Sequence, residues 1–351
     1  MLANKFSRYE RKLLYERIET YYNNEMTERN STIDFLRGFA MLIMVVIHVT
    51  AFYFSQKTTY LVWDYTHFVV PIFAFCSAYL YFEKKSDSPF NISYIIKRVK
   101  RLLIPYYIYL LIYFLYLSIF KHQPLGFVPI LKHVFLFGDR DLNWLVVLFL
   151  YFLFLLPFIR FLSNKPIYLW IFTFISFASS IVLLFVKLPF HFRLIMWLPW
   201  SAVLLFTYFF VSSKNKDRFI VISIVVGFLV YFFGRYLLAM QGKTLVFTEN
   251  KYPPNIYYLA YGLFWISVLY IFHNKLSIFI KPVQPFFDFM SRHSYSLFFI
   301  HFFYLSLITS TFSYKTIPWW GLSIILLVIS VITQIGLNYL LNFKKPTFAQ
   351  H

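Results

Sequence analysis

Apolar residues run through this chain in long unbroken stretches, not in the short periodic patterns of a water-soluble fold. The runs centre on residues 33–54, 62–82, 102–120, 142–160, 166–186, 194–211, 219–239, 256–273, 294–312 and 318–341. Each is roughly 18 residues or more, enough for a helix to cross a hydrocarbon core about 30 Å thick. Membrane-spanning barrels instead alternate apolar and polar residues over stretches of about ten, and that pattern is absent here. The sequence therefore predicts an all-α fold, a polytopic membrane bundle of about ten transmembrane helices. No internal repeat and no second folded domain are visible.

The polar residues between the runs orient the bundle. Ten spans place both termini on one side, and the segments of that side carry about twice as many Lys and Arg as those of the other, the cytoplasmic signature. Both termini are thus expected in the cytoplasm. Residues 1–31 mix charge with Phe6, Leu13, Leu14, Ile18 and Tyr21 at helix-like intervals and read as a basic amphipathic head on the inner membrane surface. Residues 32–341 form the transmembrane domain and 342–351 a cytoplasmic tail. The first run is far too long for a cleaved signal and is expected to remain as span one.

Composition narrows the function. Hydrophobic residues make up 60% of the 351, aromatics 24% and charged residues only 13%, with a mean hydropathy of +0.64. The net charge of +19 is concentrated where it would face an anionic inner leaflet, so membrane lipid is the expected partner and nucleic acid is not. Cys76 is the one cysteine and falls within a span, which leaves no intramolecular disulfide or thiolate metal cluster. Neither a G-x-S-x-G elbow nor an H-E-x-x-H zinc helix occurs. Gly242, Lys243 and Thr244 spell the end of a phosphate loop, but Leu237 stands in place of its first glycine. Asp139 and Asp141 imitate a metal-binding D-x-D, yet fall on the outer side and read as a solvated loop.

Ionisable groups inside the apolar runs are expensive and usually face a polar cavity. Arg37 and His48 lie in span one, 11 residues apart. At about 100° and 1.5 Å per residue they share one helical face and are separated by about 16 Å along the axis. Asp34, three residues before Arg37, is close enough to pair with it. Arg98 and Arg101 share a helical face among the inner-edge cations Lys97 and Lys100. Ser294 and His301 lie near one face of span nine, and Asp64 and His67 at the outer end of span two.

Several of these stretches resemble the acyltransferase family 3 membrane proteins. "IDFLRGFAMLIMVVIH" carries that family's R-x10-H signature as Arg37 and His48. "VVPIFAFCSAYLYF" resembles its second span, with Ala74 and Ala78 replacing an aromatic and a glycine. "IKRVKRLLIPYY" supplies an R-x-x-R and the following Pro105, "LNWLVVLFLYFLFLLP" resembles the fourth span, and "SRHSYSLFFIH" the S-Y-S-x-x-x-x-H near the C-terminus. The matches follow the family's order over most of the chain.

The resemblance implies a multi-pass protein of the bacterial plasma membrane. Its expected activity is O-acyl transfer from cytosolic acyl-coenzyme A, bound only as co-substrate, to a hydroxyl of an envelope or secreted polysaccharide. Acetyl is the expected group and succinyl the alternative. His48 would be the general base, with Arg37, oriented by Asp34, binding the donor or steadying charge on the thioester oxygen. Arg98, Arg101 and Lys97 would grip the phosphates of coenzyme A, Ser294 and His301 would line the donor cavity, and Asp64 and His67 would contact the acceptor. No metal is expected. The chain stops ten residues after its last span, so it is expected to finish the transfer within the bundle or hand the acyl group to a separate extracytoplasmic protein. Its size and pattern are also similar to those of the membrane component of poly-N-acetylglucosamine operons. That leaves a rival from another class, a polysaccharide exporter without chemistry of its own.

Overall fold

The computed structural model describes residues 30–84, 92–122, 126–137 and 142–343. The head, apart from its last two residues, the tail beyond 343 and the Asp139–Asp141 pair lie outside them. Along the described residues the helices are α1 (Ser31–Thr50), α2 (Lys57–Tyr65), α3 (Val69–Glu83), α4 (Ile92–Phe120), α5 (Phe127–Val134), α6 (Asn143–Ser163), α7 (Pro166–Phe185), α8 (Trp197–Ser212), α9 (Lys216–Met240), α10 (Ile256–Ile280), α11 (Gln284–Arg292), α12 (Ser294–Thr311) and α13 (Trp319–Phe343). No strand occurs among them.

All ten apolar runs fall on helices, and eight helical segments are long and apolar enough to cross a membrane. The other two runs are α8, only 16 residues long, and α12, whose serines, threonines and His301 dilute its apolar character. The chain is an all-α, multi-pass membrane bundle.

Helix α1 lies at its centre, packed by α2, α3, α10, α11, α12 and α13. Asn30 caps it, its side-chain oxygen accepting from the Thr32 and Ile33 amides while its amide nitrogen donates to Tyr79 Oη on α3. Glycine allows the closest approaches. A Cβ on Gly38 would sit 2.4 Å from the Phe287 carbonyl oxygen, which is how α11, a short amphipathic helix, comes to lie against α1. Helices α4 and α13 are peripheral, with only 17% of their most apolar window buried, and Ile104, Ile108, Leu111 and Leu115 of α4 face outward as lipid-contacting residues would.

Span two departs from a single continuous helix. It breaks at Thr66–Phe68 into α2 and α3, because Pro71 has no amide hydrogen to give the His67 carbonyl. Helix α10 fills the gap: Tyr258 Oη donates to the His67 carbonyl at 2.9 Å and Tyr261 Oη to the Tyr65 carbonyl at 2.6 Å. The proline ring seats on Gly262, where a Cβ would lie 2.4 Å from Pro71 Cγ. Gly262→Ala should therefore destabilise the bundle by about 1–3 kcal/mol, the usual cost of overpacking. Thermal unfolding in detergent would show a lowered midpoint; an unchanged one would mean that α10 and α3 part freely.

Candidate active site

Two cavities meet inside the bundle. The first, about 190 Å³, is lined by Arg37 of α1, Ser77 of α3, Arg98 and Arg101 of α4, Phe149 and Leu153 of α6, and Ser294, Tyr295 and Phe298 of α12, among others. Three guanidiniums from two helices thus face one space. Arg37 and Arg98 are half-buried and Arg101 is exposed. Tyr295 Oη donates to the Leu102 carbonyl at 2.8 Å and ties α12 to the arginine-bearing turn of α4. Lys97 is exposed and is not part of this lining. Asp34 is buried but does not line the cavity either: its carboxylate accepts the Ser291 hydroxyl at 2.6 Å, a bond that clamps α11 to α1.

The second cavity, about 470 Å³, holds His48. His67 reaches it from the break in span two, Trp63 from α2, Trp144 from the start of α6, and Glu249, Lys251 and Tyr252 from the α9–α10 loop. Leu145 and Phe298 line both cavities, so they form the partition between them. Arg37 and His48 do share a helical face, yet they open into different spaces on either side of this partition.

His48 is paired with a second histidine. Its Nδ1 lies 2.9 Å from Nε2 of His301, whose own Nδ1 lies 2.9 Å from the Leu297 carbonyl. A carbonyl can only accept, so His301 carries a hydrogen on Nδ1 and, as a neutral ring, presents a bare Nε2. His48 must then donate from Nδ1, which leaves Nε2 of His48 as an open lone pair. The two rings are near-parallel, with Phe298 and Phe302 packed around them. His301, expected in the donor cavity beside Ser294, instead stands behind His48. The turn that carries Ser294 to the arginines carries the residue two turns later to the histidine side of Phe298.

Asp64 also differs from its expected place at the acceptor. It is buried outside both linings and accepts the Phe247 amide at 2.8 Å. Phe247 in turn stacks on Tyr257 and Tyr261, with centroids 4.9 and 4.4 Å away. Asp64 is thus a bracket for the α9–α10 loop, whereas His67, three residues on, does face the His48 cavity. Its Nδ1 bonds to the Asp64 carbonyl at 3.1 Å.

Sequence reasoning missed Lys251, Trp63, Trp144 and Tyr252. Lys251 lies between two spans among other loop cations, and the aromatics are lost among 84 Phe, Tyr and Trp residues. Only the aromatic and proline neighbours of Lys251 in "ENKYPPN" hinted at a fixed loop. Among the described residues no group of three or more His, Cys, Asp and Glu is placed to hold a metal ion.

A family model described as an acyltransferase domain, that of acyltransferase family 3, matches residues 30–337. The chain belongs to this family. Searches of curated proteins and of solved structures give no match. The acyltransferase match runs from the cap of α1 to the last turns of α13 and so encloses both cavities, the partition and the histidine pair. The protein is a multi-pass membrane acyltransferase.

Proposed function

We propose that this acyltransferase moves an acyl group from a cytosolic acyl-coenzyme A to a hydroxyl of an envelope or secreted polysaccharide, in a bacterial plasma membrane with both termini cytoplasmic. The observation that carries this reading is the open Nε2 of His48, one apolar partition away from a cavity lined by three guanidiniums.

In this reading coenzyme A docks at the basic end, where Arg98 and Arg101 meet its phosphates through forked, charge-assisted hydrogen bonds. Arg37, lining the same cavity, joins them in holding the donor. The pantetheine arm carries the thioester towards Phe298 and Leu145. The acceptor enters the other cavity, where Trp63, Trp144 and Tyr252 offer faces for a sugar ring and His67 a hydrogen-bonding group. Nε2 of His48 takes the proton of the acceptor hydroxyl as its oxygen attacks the thioester carbon. The carbon–sulfur bond then breaks and the same proton passes to the leaving thiolate, so ester and free coenzyme A are formed and His48 is restored. His301 holds the reactive tautomer throughout.

Inverted membrane vesicles that enclose a polysaccharide acceptor and are given labelled acetyl- or succinyl-coenzyme A on the outside should incorporate label into that acceptor. Purified protein that carries preformed glycan across a bilayer but never consumes an acyl-coenzyme A would overturn the reading in favour of an exporter.

A further inference from the structure

One charged group in the His48 cavity has no part in the transfer chemistry. Lys251 is only 6% exposed. Its ammonium lies over two aromatic faces that also line the cavity, 5.1 Å from the Trp144 ring and 4.7 Å from the Tyr252 ring. Among the described residues no carboxylate pairs with it, and burial alone pushes its amine down to about 7. The loop holds it there. Lys251 bridges to Pro254, Asn250 bonds the Thr244 and Val246 carbonyls through its side-chain amide, and Asn255 bonds Asn250 in turn. A lysine at the end of a span normally extends its ammonium to water; this one is kept inside.

A buried cation without a counter-ion is unfavourable, and aromatic faces recover only part of the lost hydration. Methionine would fill the same volume without that cost. The other polar groups that line the cavity include the imidazoles of His48 and His67 and the hydroxyls of Thr248 and Tyr252, none of which carries a full negative charge. Glu249 also lines it, but is exposed at the rim, where solvent screens it. The space thus offers a rigidly placed amine beside the acyl-accepting centre, which a bound anion would hold in its protonated form, and the missing member is that anion.

We propose that Lys251 anchors an anion subsite, and that the substrate portion entering the His48 cavity carries a carboxylate or phosphate that pairs with it. This rests on the acyl-transfer reading and adds the charge class of what is bound. The anion has two possible sources: a second carboxylate at the far end of the acyl chain, or an acidic group on the acceptor glycan. In either case the pair forms with Lys251 within the cavity that contains the base, so charge recognition and positioning of the reacting atoms are one event.

The test uses the full-length protein purified in detergent, where donor and acceptor reach both cavities, as wild type, Lys251→Met and Lys251→Arg. Donors are acetyl- and succinyl-coenzyme A; acceptors are a neutral polysaccharide and its carboxylated counterpart. Lys251→Met should lose ten- to a hundredfold in kcat/KM for the anionic member of one pair while changing the neutral member less than threefold, and Lys251→Arg should regain part of the loss. Discrimination between donors assigns the anion to the acyl chain, and discrimination between acceptors to the glycan. Equal loss for charged and neutral substrates, or none, overturns the subsite while leaving the acyl-transfer reading intact. If wild type consumes no acyl-coenzyme A, the acyl-transfer reading fails by itself. Quenching of tryptophan fluorescence by glucuronate but not glucose, abolished in Lys251→Met, would then support the subsite, and equal quenching in both proteins would overturn it.

Discussion

His48→Ala lowers acyl transfer by about 10²–10⁴-fold, the usual contribution of a positioned general base, while membrane insertion is kept. The change swaps one neutral side chain in an apolar helix for another, so topology and expression should match wild type. His301→Ala should cost less, about 10–100-fold, because the base remains and only the partner that fixes its tautomer is lost. The double variant should be no worse than His48→Ala, since two groups acting as one unit are not additive. Single-turnover rates with labelled acyl-coenzyme A measure all three. Two independent losses that multiply in the double variant would show that His301 acts elsewhere than through His48.

The second large effect concerns the arginines. Arg37→Ala and Arg98→Ala should each weaken coenzyme A binding by about 1.5–3 kcal/mol, roughly ten- to a hundredfold, because both side chains are partly enclosed where they line the cavity. Arg101→Ala should fall at or below the lower end, since that residue is exposed and water competes for its bonds. Lysine should not restore Arg98, as a point charge cannot form a fork with a phosphate. Titration of coenzyme A into detergent-solubilised protein tests the series. Unchanged affinity in all four variants would reduce these arginines to orientation signals at the membrane edge.

What could be read from the sequence follows the range of the interactions involved. Helix positions were legible because a span needs only its own apolar length, and all ten runs lie on helices. Arg37, Arg98, Arg101 and Ser294 could be grouped in advance because each is tied to a regular helix and a recognisable motif. The break at Thr66–Phe68 was harder, although Pro71 announces it, because Tyr258 and Tyr261, nearly 200 residues away, satisfy the freed carbonyls. His301 was placed near the donor for want of the one fact that matters, the position of Phe298 between it and Ser294. Asp64 looked like a contact for ligand, and only its bond to the Phe247 amide shows it to be a support for the loop. Lys251 was least visible of all, because burial of a loop lysine is decided by packing around it and leaves no local periodicity.

The partition of Leu145 and Phe298 also bears on the energetics of the host membrane. In the proposed orientation donor and acceptor reach their cavities from opposite faces, so an open junction between the two would offer hydronium and small ions a wet column across the bilayer. Two apolar side chains at the junction make each cavity a blind vestibule. A slender acyl chain drawn through by its bound donor can pass between them, whereas a free hydrated ion would have to shed its water there with nothing to replace it. Turnover should accordingly leave a transmembrane pH gradient intact in sealed vesicles, and Phe298→Ala should let it decay. The residue that separates donor from acceptor would thus also insulate the proton-motive force from the protein.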